Sequence, residues 1–519
     1  MLRRLSAVIL SVVLLSSGWL GGTGLTLLAA FVPLLWLNDS YGAAVRRRGL
    51  RIVSWALLTF VLWNAATIWW IWGATPVGPV AATVASSALN IFAFSLYVLV
   101  SARAPRRMAL TVLVSAWIAT EYWYTVGEFS WPWLILGNGF SHDVRLVQWY
   151  EFTGVFGGSL WVLLSNIAIY EALRCRTARR VAAAAVCVAG PMLLSLGIYL
   201  FGDFDSQGSA TVTIVQPNVP VYEYSDPDER LDNLLTLACQ APADVDFIIM
   251  PETAIDDVWA VDESRPEANP AVDTLAWLMR TRYPHSTLIA GVKSMRFYPS
   301  RQTATARAGR GYYYDIYNSA IGLDSAGVQG IYHKGRLVIG VEKMPMPWLF
   351  EWLEFLVIDL GGTVGQLGVS SERMTFRGGD VDAGAAICYE GLYGDFYGGF
   401  VRRGASVMLI ISNDGWWGDT PGYRHLFSIS RLRAVEHRRA IARSANTGKS
   451  GFISPRGDVG ATLGWDERGT LTAELPLVGR TTFYTRYGDY IGRLSVYLLA
   501  LSLLCYTAYR VRRRSHLTE

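Results

Sequence analysis

Two architectures are written in this chain of 519 residues: a multi-pass α-helical membrane part and an α/β layer domain. Residues 1–201 run as long apolar segments. Residues 202–489 have the mixed texture of a globular domain, and residues 490–519 return to one apolar segment with a basic tail. Composition agrees, because 52% hydrophobic against 17% charged residues is too apolar for a wholly soluble protein. Within 202–489, short apolar runs alternate with amphipathic stretches, the pattern of an α/β layer fold.

Seven apolar segments precede the globular region, at about 5–20, 24–38, 52–72, 79–101, 108–126, 153–173 and 181–201, and one follows at about 491–509. A helix needs about 20 residues to span the hydrocarbon core. The first two segments are short and separated by Gly21, Gly22 and Gly24, so they form either a tight helical hairpin or one re-entrant feature. Arg3 and Arg4 before segment one suggest a signal peptide, but no small-residue cleavage site leads into a soluble domain.

Basic residues set the orientation. Arg46, Arg47, Arg48 and Arg51, then Arg103, Arg106 and Arg107, then Arg174, Arg176, Arg179 and Arg180 fall in alternate connections, and Arg510, Arg512, Arg513 and Arg514 follow the last segment. The connection 73–78 has no Lys or Arg, and 127–152 has only Arg145. Basic loops stay in the cytoplasm. Both termini are therefore expected inside and the globular domain outside, whether or not the first pair crosses. Trp69, Trp70, Trp72, Trp131 and Trp133 fall near the outer boundary and read as interfacial anchors. Glu121 is the main ionisable residue inside a segment, near its outer end.

The net charge of +4 sits in the clusters between apolar segments, which leaves no basic face for nucleic acid. Five cysteines give no disulfide framework, and no CxxC or His/Cys spacing suggests a metal.

In the globular part, Thr211–Gln216, Phe247–Met250, Ser286–Val292, Asn318–Leu323, Val328–Tyr332 and Val407–Ser412 read as strands. Residues 228–239, 270–282 and 425–443 read as helices, the last of them basic. The stretch AAICYEG at 385–391 reads as a buried strand that ends in a turn at Cys388. Alone, that cysteine is either a core residue or a nucleophile held by rigid backbone. Glu252 and Lys334 also sit just past buried strands. Ligands of α/β sheets bind beyond the carboxyl ends of strands, so three such ends can bring three reactive side chains to one point.

Glu252 in MPET, Lys334 in YHKGRL and Cys388 in ICYEG resemble the Glu–Lys–Cys triad of the carbon–nitrogen hydrolase (nitrilase) superfamily, whose fold is an αββα sandwich. QPNVP at 216–220, YNSA at 317–320 and SNDGWWGDTPG at 412–422 add to the likeness. With the membrane frame, the whole chain resembles the membrane branch of that superfamily, the apolipoprotein N-acyltransferase family of the bacterial inner membrane. The loop after Lys334 departs from the common LVPFGE pattern, reading Leu337 to Pro345 as LVIGVEKMP, yet Glu342 keeps its place.

The resemblance implies that Cys388 takes an acyl group from a membrane phospholipid as a thioester and passes it to the α-amine of a diacylated apolipoprotein, with no cofactor. Glu252 is the expected base and Lys334 the oxyanion partner, together with a backbone N–H near Tyr389; Lys334 is also expected to lower the Cys388 pKa. Glu342 and Glu390 are expected supporting carboxylates, Glu390 being equally readable as a structural partner of the turn. The apolar stretch 344–367, with Trp348 and Trp352, reads as a membrane-facing lid or as a core helix. Trp416 and Trp417 line the acyl entry or pack under the site. A membrane-anchored amidase releasing its acyl group to water is the competing enzyme reading, and a non-catalytic lipid-binding scaffold a third.

Overall fold

The computed structural model describes residues 1–42, 45–74, 76–202, 204, 206–220, 226–255, 260–343 and 367–518. The chain divides into two compact units, Met1–Gly202 with Tyr487–Glu519, and Asp203–Arg486.

The first unit is helical. Six helices among the described residues are long and apolar enough to cross a membrane: Leu2–Trp19, Arg48–Gly73, Gly78–Ser101, Tyr150–Cys175, Ala178–Phe201 and Tyr490–Arg513. Two of the segments read from sequence fall outside that set. Arg106–Val126 is a 21-residue helix that carries two arginines and Glu121. The stretch Gly24–Asp39 is broken into a 3-10 helix, Gly24–Ala29, and a short α-helix, Val32–Asp39. Asn166 holds the break. Its Oδ1 accepts from the Phe31 and Val32 N–H groups at 2.6 and 3.2 Å, and its Nδ2 donates to the Leu27 and Val162 carbonyls at 2.7 Å each. The backbone groups freed by the break are thus satisfied internally, as apolar surroundings require.

Not all of the tryptophans are interfacial anchors. Trp70, Trp131 and Trp133 are buried, and Trp70 meets Trp133 edge to face at 4.9 Å; they pack the interior of the unit, while Trp69 and Trp72 are exposed. Glu121 is also buried, and its Oε1 accepts from Trp117 Nε1 at 3.0 Å and from the Leu136 N–H at 2.8 Å.

The second unit is a two-sheet sandwich. Its strands are β1 (Ser206–Gln216), β2 (Phe247–Ile249), β3 (Val261–Asp262), β4 (Thr287–Tyr298), β5 (Arg307–Ala308), β6 (Tyr313–Asp324) and β7 (Gly327–His333). They continue as β8 (Thr375–Gly378), β9 (Val381–Ile387), β10 (Val407–Ser412), β11 (Ile441–Ala445), β12 (Ser450–Ile453), β13 (Val459–Leu463) and β14 (Gly469–Val478). One sheet runs β14-β1-β2-β4-β6-β5, with β3 beside β4 and β7 beside β6; the other runs β13-β12-β11-β10-β9-β8. The centres β1-β2-β4 and β9-β10-β11 are parallel. Such strands are covered on both faces, which is why FII and VMLIIS are continuous apolar runs rather than alternating ones. Helices Pro227–Ala238 and Pro270–Arg282 pack Leu234, Leu237, Leu275 and Met279 into one core with Ile248 and Leu288 of the first sheet.

The expected helix 425–443 is instead Pro421–His437 followed by β11. Arg438 takes a left-handed φ of 51° and ends it. Nor is the helix a basic surface: Arg433 and Glu436 pair at 2.8 Å with both side chains fully buried.

Candidate active site

Three parallel or edge strands end at one place. β2 delivers Glu252, β7 delivers Lys334 and β9 delivers Cys388. Glu252 and Cys388 are each 5% exposed and Lys334 is 1% exposed. Two of the turns are strained. Thr253, just after the glutamate, has φ 57°, and Cys388 itself has φ 49° at the passage from strand to 3-10 turn. A non-glycine residue there is uncommon and persists only when its surroundings hold it.

The polar contacts are mutual. Lys334 Nζ donates to Glu252 Oε1 at 2.9 Å and to Glu342 Oε1 at 3.0 Å. Asn318 Nδ2, on β6 beside β7, donates to the same two oxygens at 2.7 Å each. That arrangement fixes the amide orientation, since an Asn oxygen there would face two carboxylates. Glu252 Oε2 accepts the Asn413 N–H at 3.0 Å, and Glu342 Oε2 accepts the Val338 N–H at 2.8 Å. Burial alone would push the Lys334 ammonium down, but the carboxylates of Glu252 and Glu342 more than reverse this and hold its pKa well above the ordinary lysine value.

The expected pull of Lys334 on the thiol is present but outweighed. Burial pushes the Cys388 pKa up, the Glu252 carboxylate adds to that, and Lys334 pulls down without winning. Burial and the neighbouring carboxylate thus disfavour the thiolate form.

Glu390 has a different neighbourhood from Glu342. Its Oε1 accepts from Tyr332 OH and the Gly335 N–H at 2.6 Å each, and its Oε2 accepts from the Ile387 N–H at 2.7 Å. It therefore ties the backbone after Lys334 to the backbone before Cys388. Burial pushes its carboxyl up to about 7 against those three donors. Tyr389 is buried in the 3-10 turn and meets Tyr393 edge to face at 5.5 Å. Trp417 is buried and Trp416 half-buried in the turn Gly415–Trp417, just past β10. The stretch 344–366, with Trp348 and Trp352, lies outside the described residues.

Sequence reasoning passed over four contributors. Asn318 and Asn413 lie inside motifs noted for their family likeness but given no role. Asp414 and Arg443 form a fully buried pair, Arg443 Nη2 to Asp414 Oδ1 at 2.8 Å. The signal was present, because a charged residue in the apolar strand IARSA must be paired when buried. Among the described residues no group of His, Cys, Asp and Glu is arranged to hold a metal.

Both parts of the chain match known families. The carbon-nitrogen hydrolase family model matches residues 211–483, and that of the apolipoprotein N-acyltransferase N-terminal domain matches residues 11–168. Apolipoprotein N-acyltransferase of Chlorobaculum tepidum is 32% identical over 484 residues, covering 89% of this chain and 88% of the relative. That of Geobacter metallireducens is 27% identical over 483 residues, covering 89% and 87%. That of Allorhizobium ampelinum is 28% identical over 479 residues, covering 86% and 85%. Both halves of the chain are accounted for, the apolar helices as well as the two-sheet sandwich with its converging strand ends. The chain belongs to the apolipoprotein N-acyltransferase family, a membrane branch of the carbon–nitrogen hydrolase enzymes.

Proposed function

We propose that the protein transfers a fatty acyl chain from a membrane phospholipid to the N-terminal α-amine of a diacylglyceryl-cysteine on an apolipoprotein, through a thioester on Cys388. The observation that carries this is the shared hydrogen-bond set of Glu252, Lys334, Glu342 and Asn318, with the Glu252–Lys334 pair buried, beside the tip of the strand that bears Cys388.

Glu252 takes the thiol proton as sulfur attacks the ester carbonyl, and returns it to the departing lysophospholipid oxygen. It then takes a proton from the incoming amine as nitrogen attacks the thioester, and the sulfur leaves as thiol. Lys334 faces the oxyanion of both tetrahedral intermediates, with its second carboxylate partner, Glu342, holding it in place when Glu252 is neutral. Asn318 keeps the two carboxylates apart and aimed at the ammonium. Glu390 acts on position alone, fixing the Lys334 loop against the Cys388 turn. Both substrates are membrane-anchored, so a catalytic unit attached to the bilayer by helices before and after it confines the reaction to the lipid surface. The same reading puts the catalytic unit on the extracytoplasmic side of the bacterial inner membrane and both termini in the cytoplasm, from the basic loops.

Purified enzyme incubated with a labelled phospholipid and a synthetic diacylated lipopeptide tests it. Label on the lipopeptide amine supports the proposal. Label appearing only as free fatty acid, with or without lipopeptide, sinks it in favour of hydrolysis.

A further inference from the structure

Behind Cys388 lies a buried polar relay that the acyl transfer above does not use. β10 runs parallel to β9 with Ile411 in register with Ile387, so Ser412 is the cross-strand neighbour of Cys388. Its hydroxyl is placed to pull the thiol's pKa down against burial. The same hydroxyl donates to Asp414 Oδ1 at 2.8 Å and accepts from Arg443 Nη2 at 2.9 Å. Arg443 grips Asp414 with two N–H groups, Nη2 to Oδ1 at 2.8 Å and Nη1 to Oδ2 at 2.9 Å, and Nη1 also donates to the Lys449 carbonyl at 2.6 Å. Ser412, Asp414 and Arg443 are each 0% exposed.

A buried ion pair is weak evidence for stability, since apolar residues of like volume often replace one without loss. This pair is bidentate and rigid, and beyond its contacts with the Lys449 backbone it leads through one hydroxyl toward the sulfur. The charged groups that bear on that sulfur are Glu252 and Asp414, both repelling a thiolate, and Lys334 and Arg443, both attracting it.

We propose that Ser412 is the hydrogen-bond donor that stabilises the Cys388 thiolate, and that Arg443 and Asp414 are positioning residues that hold its hydroxyl for that task. With the thiol protonated, the Ser412 O–H points to Asp414. When the thiol proton passes to the Glu252 carboxylate, leaving a thiolate and a carboxylic acid, the Ser412 O–H turns to the sulfur. Asp414 loses one donor and keeps the two from Arg443, so no buried carboxylate oxygen is abandoned. The inference rests on Cys388 being the nucleophile, and it adds the group that makes a thiolate attainable where burial opposes one.

The test is the rate of Cys388 alkylation by iodoacetamide in the full-length protein, read at that residue by peptide mass spectrometry so that Cys175, Cys187, Cys239 and Cys505 do not contribute. Ser412→Ala is expected to slow it at one fixed pH by roughly four- to fifteenfold, since a lost hydrogen bond to an ion raises the pKa while the rarer thiolate is intrinsically more nucleophilic. Ser412→Thr, which keeps the hydroxyl, is expected to react near the wild-type rate. A merely loosened fold would expose the sulfur and speed the reaction, so slowing is diagnostic. Equal or faster alkylation of Ser412→Ala overturns the inference. If that variant does not fold, Arg443→Lys decides in its place, because it keeps the charge but loses the fork: slower alkylation supports the relay, and unchanged or faster alkylation overturns it. Incubating the same preparations with phospholipid separates the two claims. A wild-type protein that never gains an acyl group on Cys388 sinks the acyl-transfer reading, whereas the alkylation rates judge Ser412 in either case.

Discussion

Lys334 Nζ lies 2.9 Å from Glu252 Oε1, with the two side chains 1% and 6% exposed. Neither partner is tolerable there alone, because an unpaired buried charge costs several kcal/mol. Removing the lysine leaves Glu252 and Glu342 facing each other through Asn318. Lys334→Met is therefore expected to destabilise the catalytic unit by about 3–5 kcal/mol and to abolish acyl-enzyme formation. Adding Glu342→Gln to it should recover part of the melting temperature and none of the activity. Thermal unfolding in detergent, paired with an acyl-adduct assay, checks both halves.

Asn318 gives a sharper contrast. Asn318→Ala removes two charge-assisted hydrogen bonds of 2.7 Å. It should slow acyl-enzyme formation by about 10- to 100-fold, the value of one such bond. Asn318→Asp keeps the volume but places a third carboxyl against the other two, and it should be slower than the alanine variant. Single-turnover acylation rates decide the order; an aspartate variant faster than the alanine one would show that the amide does not bridge the carboxylates.

Glu390 predicts a pH dependence of stability. Burial raises its carboxyl to about 7, above the unfolded value of about 4.3. A carboxyl raised on folding binds its proton more tightly in the native state. Its contribution to stability is fully present below about pH 4 and is lost as pH rises through about 7. Gln at this position does not titrate. The melting temperature of the wild type relative to Glu390→Gln should accordingly be higher at pH 5 than at pH 8. A constant difference across that range would mean that Glu390 is not the titrating group.

Much of this was legible beforehand, for physical reasons. Parallel central strands are covered on both faces, so FII, VMLIIS and the run into Cys388 stand out as apolar blocks, and the reactive side chains follow them directly. β8 and β11 to β14 were not foreseen. β14, GTLTAELPLV, is half exposed along its length, and β1 pairs with it antiparallel from more than 250 residues away, a contact with no local signature. The helix read through 443 stops at His437 because Arg438 turns left-handed, and a local period carries no warning of that in an arginine. Asn318 escaped because its work is visible only once β6 lies beside β7, and Arg443 because its stretch reads as the end of the helix 425–443 rather than as the buried strand IARSA. The thiol's raised pKa is likewise a property of burial, which the motif alone does not carry.

In the helical unit, Asn166 carries a prediction of its own. Three of its hydrogen bonds reach the break between Gly24–Ala29 and Val32–Asp39, from the Phe31 and Val32 N–H groups and to the Leu27 carbonyl. Asn166→Leu strands the Phe31 and Val32 N–H groups in apolar surroundings, and should lower the melting temperature and the yield of folded protein. Asn166→Ala should do the same, whereas Asn166→Gln should retain part of both. Detergent-solubilised yield with fluorescence-detected size exclusion measures this.

The most direct test of the account is the intact mass of purified protein after incubation with phospholipid and no acceptor. The expected result is a gain of one fatty acyl group, removed by neutral hydroxylamine, absent in Cys388→Ala, and discharged when a diacylated lipopeptide is added. An unchanged mass under conditions where the enzyme still modifies the lipopeptide, or an adduct that survives in Cys388→Ala, would contradict it.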